Sequence, residues 1–198
     1  TNEISLLGPP ADLILVATSN SAGALSCNGC SFKNFDRVSF VSADMSEVLT
    51  AEKDIKPIRP SSNGSIVISD LYAPGVVSLD VLSRDVLVSD KIDLTRRVRK
   101  SFTSGYEADI NGNLISGMGG INLLIGDLTW NYSQNEVVGV HDLSVSKTVS
   151  GQLIAASISL LVAGESSISA NFDTKLAVLS TANYLGNVYV PKDDIEII

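Results

Sequence analysis

The chain has 198 residues, enough for one domain with a sizeable core, and 44% of them are hydrophobic while only 6% are aromatic. A formal net charge of −8 gives no basic face to hold phosphates, so neither nucleic acid nor anionic membrane is expected as a partner. No apolar run approaches the roughly 20 residues a membrane-spanning helix needs; the longest, LIAASISLLVAG, is broken by Ser157 and Ser159, so membrane insertion is not expected.

In chain order, the sequence predicts strands at Asp12–Thr18, Arg37–Ala43, Ser65–Leu71, Val76–Leu82, Asp85–Leu94 and Asn122–Trp130. Others follow at Val137–Val145, Leu153–Ala163, Ser167–Asp173, Lys175–Leu179 and Asn187–Val190. Each is short and rich in Val, Ile and Leu, and is apolar at alternate or at successive positions. Turn formers separate them: Pro9-Pro10, Asn28-Gly29, Asn63-Gly64, Ala73-Pro74-Gly75, Asn111-Gly112-Asn113 and Gly119-Gly120. The stretch DLTRRVRKSF, Asp93 to Phe102, is the one short candidate for a helix. The chain therefore reads as all-β.

Two all-β architectures fit this pattern. A sandwich of hairpins would alternate apolar with charged positions, because one face of each sheet meets water. Several runs here are apolar at successive positions or alternate with Ser and Thr, as tightly stacked parallel strands do. The strand signals also cluster about every twenty residues, within the range of solenoid repeats. The residues alone leave a parallel β-helix and a sandwich open.

The two cysteines, Cys27 and Cys30, enclose Asn28-Gly29. A redox pair would need a following helix to lower the thiol pKa, and no helical pattern follows. A structural zinc site would need two further Cys or His ligands, and the chain has no other cysteine and a single histidine, His141. A local disulfide across an Asn-Gly turn is the reading that remains, with two reduced thiols in a cytosolic protein as its rival. A disulfide implies an oxidising compartment.

Catalytic groups do not assemble from the sequence. His141 precedes Asp142, yet neighbours on a strand face opposite ways and no Gly-x-Ser-x-Gly elbow is present. Asp80, Asp85, Asp90 and Asp93 are the acids a polysaccharide groove would use. Each stands singly beside a turn, where solvation or turn capping is expected. Asp109–Asn113 (DINGN) lacks the remaining carboxylates of a calcium loop. Arg96–Lys100 (RRVRK) reads as a solvated loop, and Trp130 with Tyr132 as a cap on the core rather than a sugar platform. No catalytic residue, metal or cofactor is expected.

Leu25-Ser26-Cys27-Asn28-Gly29-Cys30-Ser31-Phe32-Lys33-Asn34, followed by Arg37-Val38-Ser39-Phe40, resembles the two-partner-secretion, or haemagglutination-activity, domain of filamentous-haemagglutinin-like exoproteins. The resemblance spans about residues 5–130 and is specific over 11–41. The family's Asn-Pro-x-Gly turn stands here as Ser19-Asn20-Ser21-Ala22-Gly23, longer and without the proline, and the family's earlier half with its amphipathic cap has no counterpart. The resemblance implies a right-handed parallel β-helix over 1–198, as one domain or fragment cut from a longer chain. It implies a non-enzymatic secretion signal and adhesion domain, recognised by the periplasmic domains of a cognate outer-membrane transporter. Export through the periplasm to the bacterial surface follows, with a host-cell or surface receptor as a further partner. The family's paired cysteines carry over to Cys27 and Cys30, and its recognition positions to Asn20, Gly23 and Asn34. A polysaccharide-binding or polysaccharide-active β-helix is the alternative.

Overall fold

The computed structural model describes residues 2–18, 24–50, 54–94, 99–100, 107–108, 119–142, 147–155, 157–168, 170–173, 176–185 and 195–197. The strands are β1 (Asn2–Ser5), β2 (Ala11–Ala17), β3 (Ala24–Lys33), β4 (Phe35–Ser42), β5 (Ser65–Tyr72), β6 (Ser78–Ser83), β7 (Asp85–Val88) and β8 (Lys91–Asp93). They continue as β9 (Arg99–Lys100), β10 (Glu107–Ala108), β11 (Gly120–Ile125), β12 (Asp127–Asn131), β13 (Glu136–Asp142), β14 (Lys147–Val149) and β15 (Gln152–Ile154). The last are β16 (Ser157–Ile168), β17 (Asn171–Asp173), β18 (Leu176–Leu185) and β19 (Ile195–Ile197), and one short helix, α1, spans Met45–Val48.

Two parallel sheets carry the chain as successive coils. The first runs β1-β3-β5-β8-β15-β17, with β7 also on β5, and the second runs β2-β4-β6-β11-β16-β18-β19, with β14 also on β16. From β1–β2 to β17–β18, successive coils among the described residues contribute to both sheets, so the expected all-β, parallel β-helix is the fold observed. Every step adds one strand spacing of about 4.8 Å and places equivalent side chains over one another.

That stacking explains the interior. Val38, Leu79, Ile121 and Ile158 occupy one register column, and Phe40, Val81, Leu123 and Leu160 the next. From the opposite sheet, Cys30, Leu71, Ile92 and Leu153 form a facing column. All of these except the half-buried Cys30 are buried in one continuous core.

A second core lies on the outer face of the β4-β6-β11-β16 sheet. There Val41, Leu82 and Leu124 sit under Val48, Ile58, Leu128, Trp130 and Tyr132. The covering pieces are α1, the stretch after it, which bridges Leu49 to Ile55 and Ile58 to Trp130, and the antiparallel hairpin β12–β13. With both faces of these strands dry, Val81-Leu82 and Leu123 through Ile125 are apolar at successive positions, while Asp80 is the buried charged exception on the outward face. The successive apolar positions thus come from two cores rather than one narrow one.

Three expectations need correction. The cysteine stretch is not a turn but the strand β3, kinked where Gly29 takes φ 63°. The helix candidate at Asp93–Phe102 is not helical where it is described, since Asp93 ends β8 and Arg99–Lys100 pairs antiparallel with Glu107–Ala108. Asn122–Trp130 is two strands, divided at Gly126, whose φ of 111° turns the chain out of the coil into the hairpin.

Candidate functional site

The Cys-x-x-Cys stretch lies on the second coil. Cys27 and Cys30 are joined by a disulfide with Cα atoms 5.6 Å apart. Their ladder partners on the next coil are Ile68 and Leu71, so the bridge faces the core and Cys27 is buried. Gly29, between them, and Asp70, at the matching place on β5, both adopt left-handed backbone, φ 63° and 58°. Two adjacent coils therefore bend at the same corner, and the disulfide spans the bend of the upper one.

Asn34 marks the next corner, between β3 and β4, with φ 64°, a conformation that Asn tolerates better than most residues. Its side-chain amide donates to the carbonyls of Leu6 at 3.0 Å and Gly8 at 2.7 Å. The residue is exposed, but both amide hydrogens hold down the loop of the first coil. Asn20 and Gly23, the other expected recognition positions, lie outside the described residues, as do Asp109–Asn113 and positions 96–98 of the basic cluster.

The residue that sequence reasoning passed over is Arg37, the arginine heading β4. Its Nε donates to Asp80 Oδ2 at 2.5 Å, Nη1 to the Tyr132 carbonyl at 3.0 Å, and Nη2 to Asn135 Oδ1 at 3.1 Å. The guanidinium carbon sits 3.9 Å from the Tyr132 ring centroid and 5.1 Å from that of Trp130, within cation–π range of both. The only advance signal was its place in the secretion-domain motif.

Asp80 was expected to be solvated or to cap a turn. It is instead fully buried on β6, at 0% exposure. Besides Arg37, its carboxylate accepts from Ser39 Oγ at 2.9 Å, Ser78 Oγ at 3.0 Å and Asn122 Nδ2 at 2.7 Å. Ser39, Asp80, Asn122 and Ser159 occupy one outward column, a polar stripe across the sheet beneath the hairpin. Asp85 belongs to the other sheet and is exposed, as is Asp90, while Asp93 is half-buried. The acids proposed for a sugar groove are thus split between the two sheets.

A second ionic anchor holds the base of the hairpin. Asp127 is gripped by Arg59 through two hydrogen bonds of 2.7 and 2.8 Å and by Arg84 at 2.7 Å. The Arg59 hydrogen bond is the main cause holding the Asp127 carboxyl below its ordinary value. His141 is exposed, with Nε2 2.8 Å from the Thr129 hydroxyl, and Trp130 and Tyr132 cap the second core as their sequence context suggested. Among the described residues, no group of three or more His, Cys, Asp or Glu converges as a metal site, and no helix is long and apolar enough to cross a membrane.

No family pattern matches the chain, and no curated protein is similar to it. Among solved structures, it is similar to the filamentous haemagglutinin secretion domain. The TM-score is 0.53 at 14% identity, over 98% of this chain and 67% of that one. That likeness is one of fold.

Proposed function

We propose that this chain is a non-catalytic secretion-signal and adhesion domain of a two-partner-secretion exoprotein, recognised in the periplasm by the periplasmic domains of a cognate outer-membrane transporter. What carries the reading is that the coils of a haemagglutinin secretion domain recur here at 14% identity. The Cys-x-x-Cys stretch is joined in a disulfide on the second coil, and Asn34 forms the corner that follows the same strand. An intact disulfide suits a protein that passes through an oxidising compartment. The destination on this reading is the bacterial surface or medium, with a surface receptor as the eventual ligand.

The placement of Asp80 weighs against the polysaccharide-active alternative, because its carboxylate is saturated by four donors beneath the hairpin. An export assay tests the proposal. Placed behind a periplasmic leader and expressed with the transporter encoded beside it, the chain is expected in the medium. Without the transporter, it is expected to remain in the periplasm. Equal release with and without the transporter would overturn the reading.

A further inference from the structure

The outer face of the second sheet links parts of the chain that coil order keeps far apart. Tyr132, in the turn of the β12–β13 hairpin, donates its hydroxyl to Asp12 Oδ2 at 2.9 Å across 120 positions. Asp12 stands on β2, and among the described residues β2 pairs only with β4, through a register that slips between Ala11 and Leu13. The loop before β2 carries Leu7, 96% exposed. Ile14 and Val16 of β2 pack only partly buried against the cluster beneath the hairpin. Among the described residues, β2 is thus held by a ladder on one side alone, and the hairpin holds it a second time.

The hairpin turn in turn is seated by Arg37, which grips the Tyr132 carbonyl and the Asn135 side chain while buried Asp80 fixes its other edge. The contacts form one connected line, Asp80 to Arg37 to Tyr132 to Asp12, from the third coil through the hairpin to the first.

We propose that the β12–β13 hairpin is a strap that closes the first coil onto the solenoid. Arg37 is its seat and the Tyr132–Asp12 hydrogen bond its clasp. Undoing the clasp lets β2 open locally, which uncovers the edge of β4 while the coils beyond it stay formed. The segment able to open is the one that leads into the cysteine-bearing coil, and its closure waits on residues made 120 positions later.

Hydrogen exchange read by mass spectrometry on the full chain tests this, with Tyr132→Phe, Asp12→Ala and the double variant beside the parent. Tyr132→Phe removes a single hydroxyl and leaves the ring on Arg37. Peptides covering Ala11–Ala17 are expected to exchange about tenfold faster in it, as for the loss of one hydrogen bond that governs a local opening, with Gly120–Ile125 unchanged. Asp12→Ala is expected to match it, and the double variant to add nothing further. Exchange at Ala11–Ala17 that stays within about twofold of the parent, that rises equally in every strand, or that adds up in the double variant would overturn the proposal.

Discussion

Arg37 and Asp80 meet on adjacent strands of the second sheet, Nε to Oδ2 at 2.5 Å, with the carboxylate wholly removed from water and the arginine side chain 16% exposed. A buried charge is tolerable only when every lone pair has a donor. Here the other donors are Ser39, Ser78 and Asn122. The pair thus sets the register of three coils at one point and presents a flat cation to the rings of the hairpin.

Removing one partner of such a pair leaves the other charge stranded. Asp80→Ala is expected to lower unfolding stability by about 3 to 5 kcal/mol, seen as a fall in the urea midpoint at unchanged slope. Exposed Asp85→Ala is expected to stay within about 0.5 kcal/mol of the parent. Equal effects of the two would contradict the burial argument.

The corner glycines separate strain from crowding. Gly126 and Gly8 both have φ well into the left-handed region, 111° and 126°. A Cβ on Gly126 would come 2.6 Å from the Ala163 carbonyl, whereas one on Gly8 meets nothing within 4 Å. Gly8→Ala is expected to cost about 1 kcal/mol from backbone strain, and Gly126→Ala at least about 3 kcal/mol, with the hairpin displaced. Thermal melts of the two variants make the comparison.

The disulfide closes a loop of only three residues' separation. Its loss is expected to cost about 2 kcal/mol on chain-entropy grounds. Alkylation under native conditions is expected to add no mass, and alkylation after reduction two groups. Two groups added without reductant would place the thiols in the reduced state and remove the argument for an oxidising compartment.

Two groups of the hairpin give stability a dependence on pH. The Asp127 carboxyl is held below its ordinary 3.8, chiefly by the Arg59 hydrogen bond. Its contribution is therefore present above about pH 4 and fades as pH falls through the lowered value. Burial, with the Asp12 hydrogen bond second, pushes Tyr132 up from 10.0 to about 12. Its contribution is full below pH 10 and fades as pH rises towards 12. Asp127→Asn is expected to flatten the acid limb of a melting-temperature profile, and Tyr132→Phe the alkaline limb. A profile that neither change alters would refute these assignments.

Much of the fold was legible in the sequence, because inward positions such as Val38, Leu79, Ile121 and Ile158 recur in runs bounded by Gly, Pro and Asn. The outer core was not. Val41, Leu82 and Leu124 look like any other apolar neighbours until the hairpin that covers them is placed. Strand alternation in Val137–Val140 does not say whether a segment joins a coil or folds back antiparallel on β12. Asn28-Gly29 signalled positive φ correctly, but a kink inside a strand and a two-residue turn use the same residues. Of the site, the cysteine pair could be read from the sequence. Asp80 could not, since its partner Arg37 stands 43 positions away and a lone acid among apolar residues gives no sign of where its donors lie.

The central claim is recognition by a transporter, and calorimetric titration of this chain into that transporter's isolated periplasmic domains tests it most directly. Saturable binding is expected, with the disulfide intact. A heat signal no larger than dilution, both for this chain and for the same chain extended upstream, would contradict the claim and leave a β-helix whose likeness to the secretion domain is one of architecture alone.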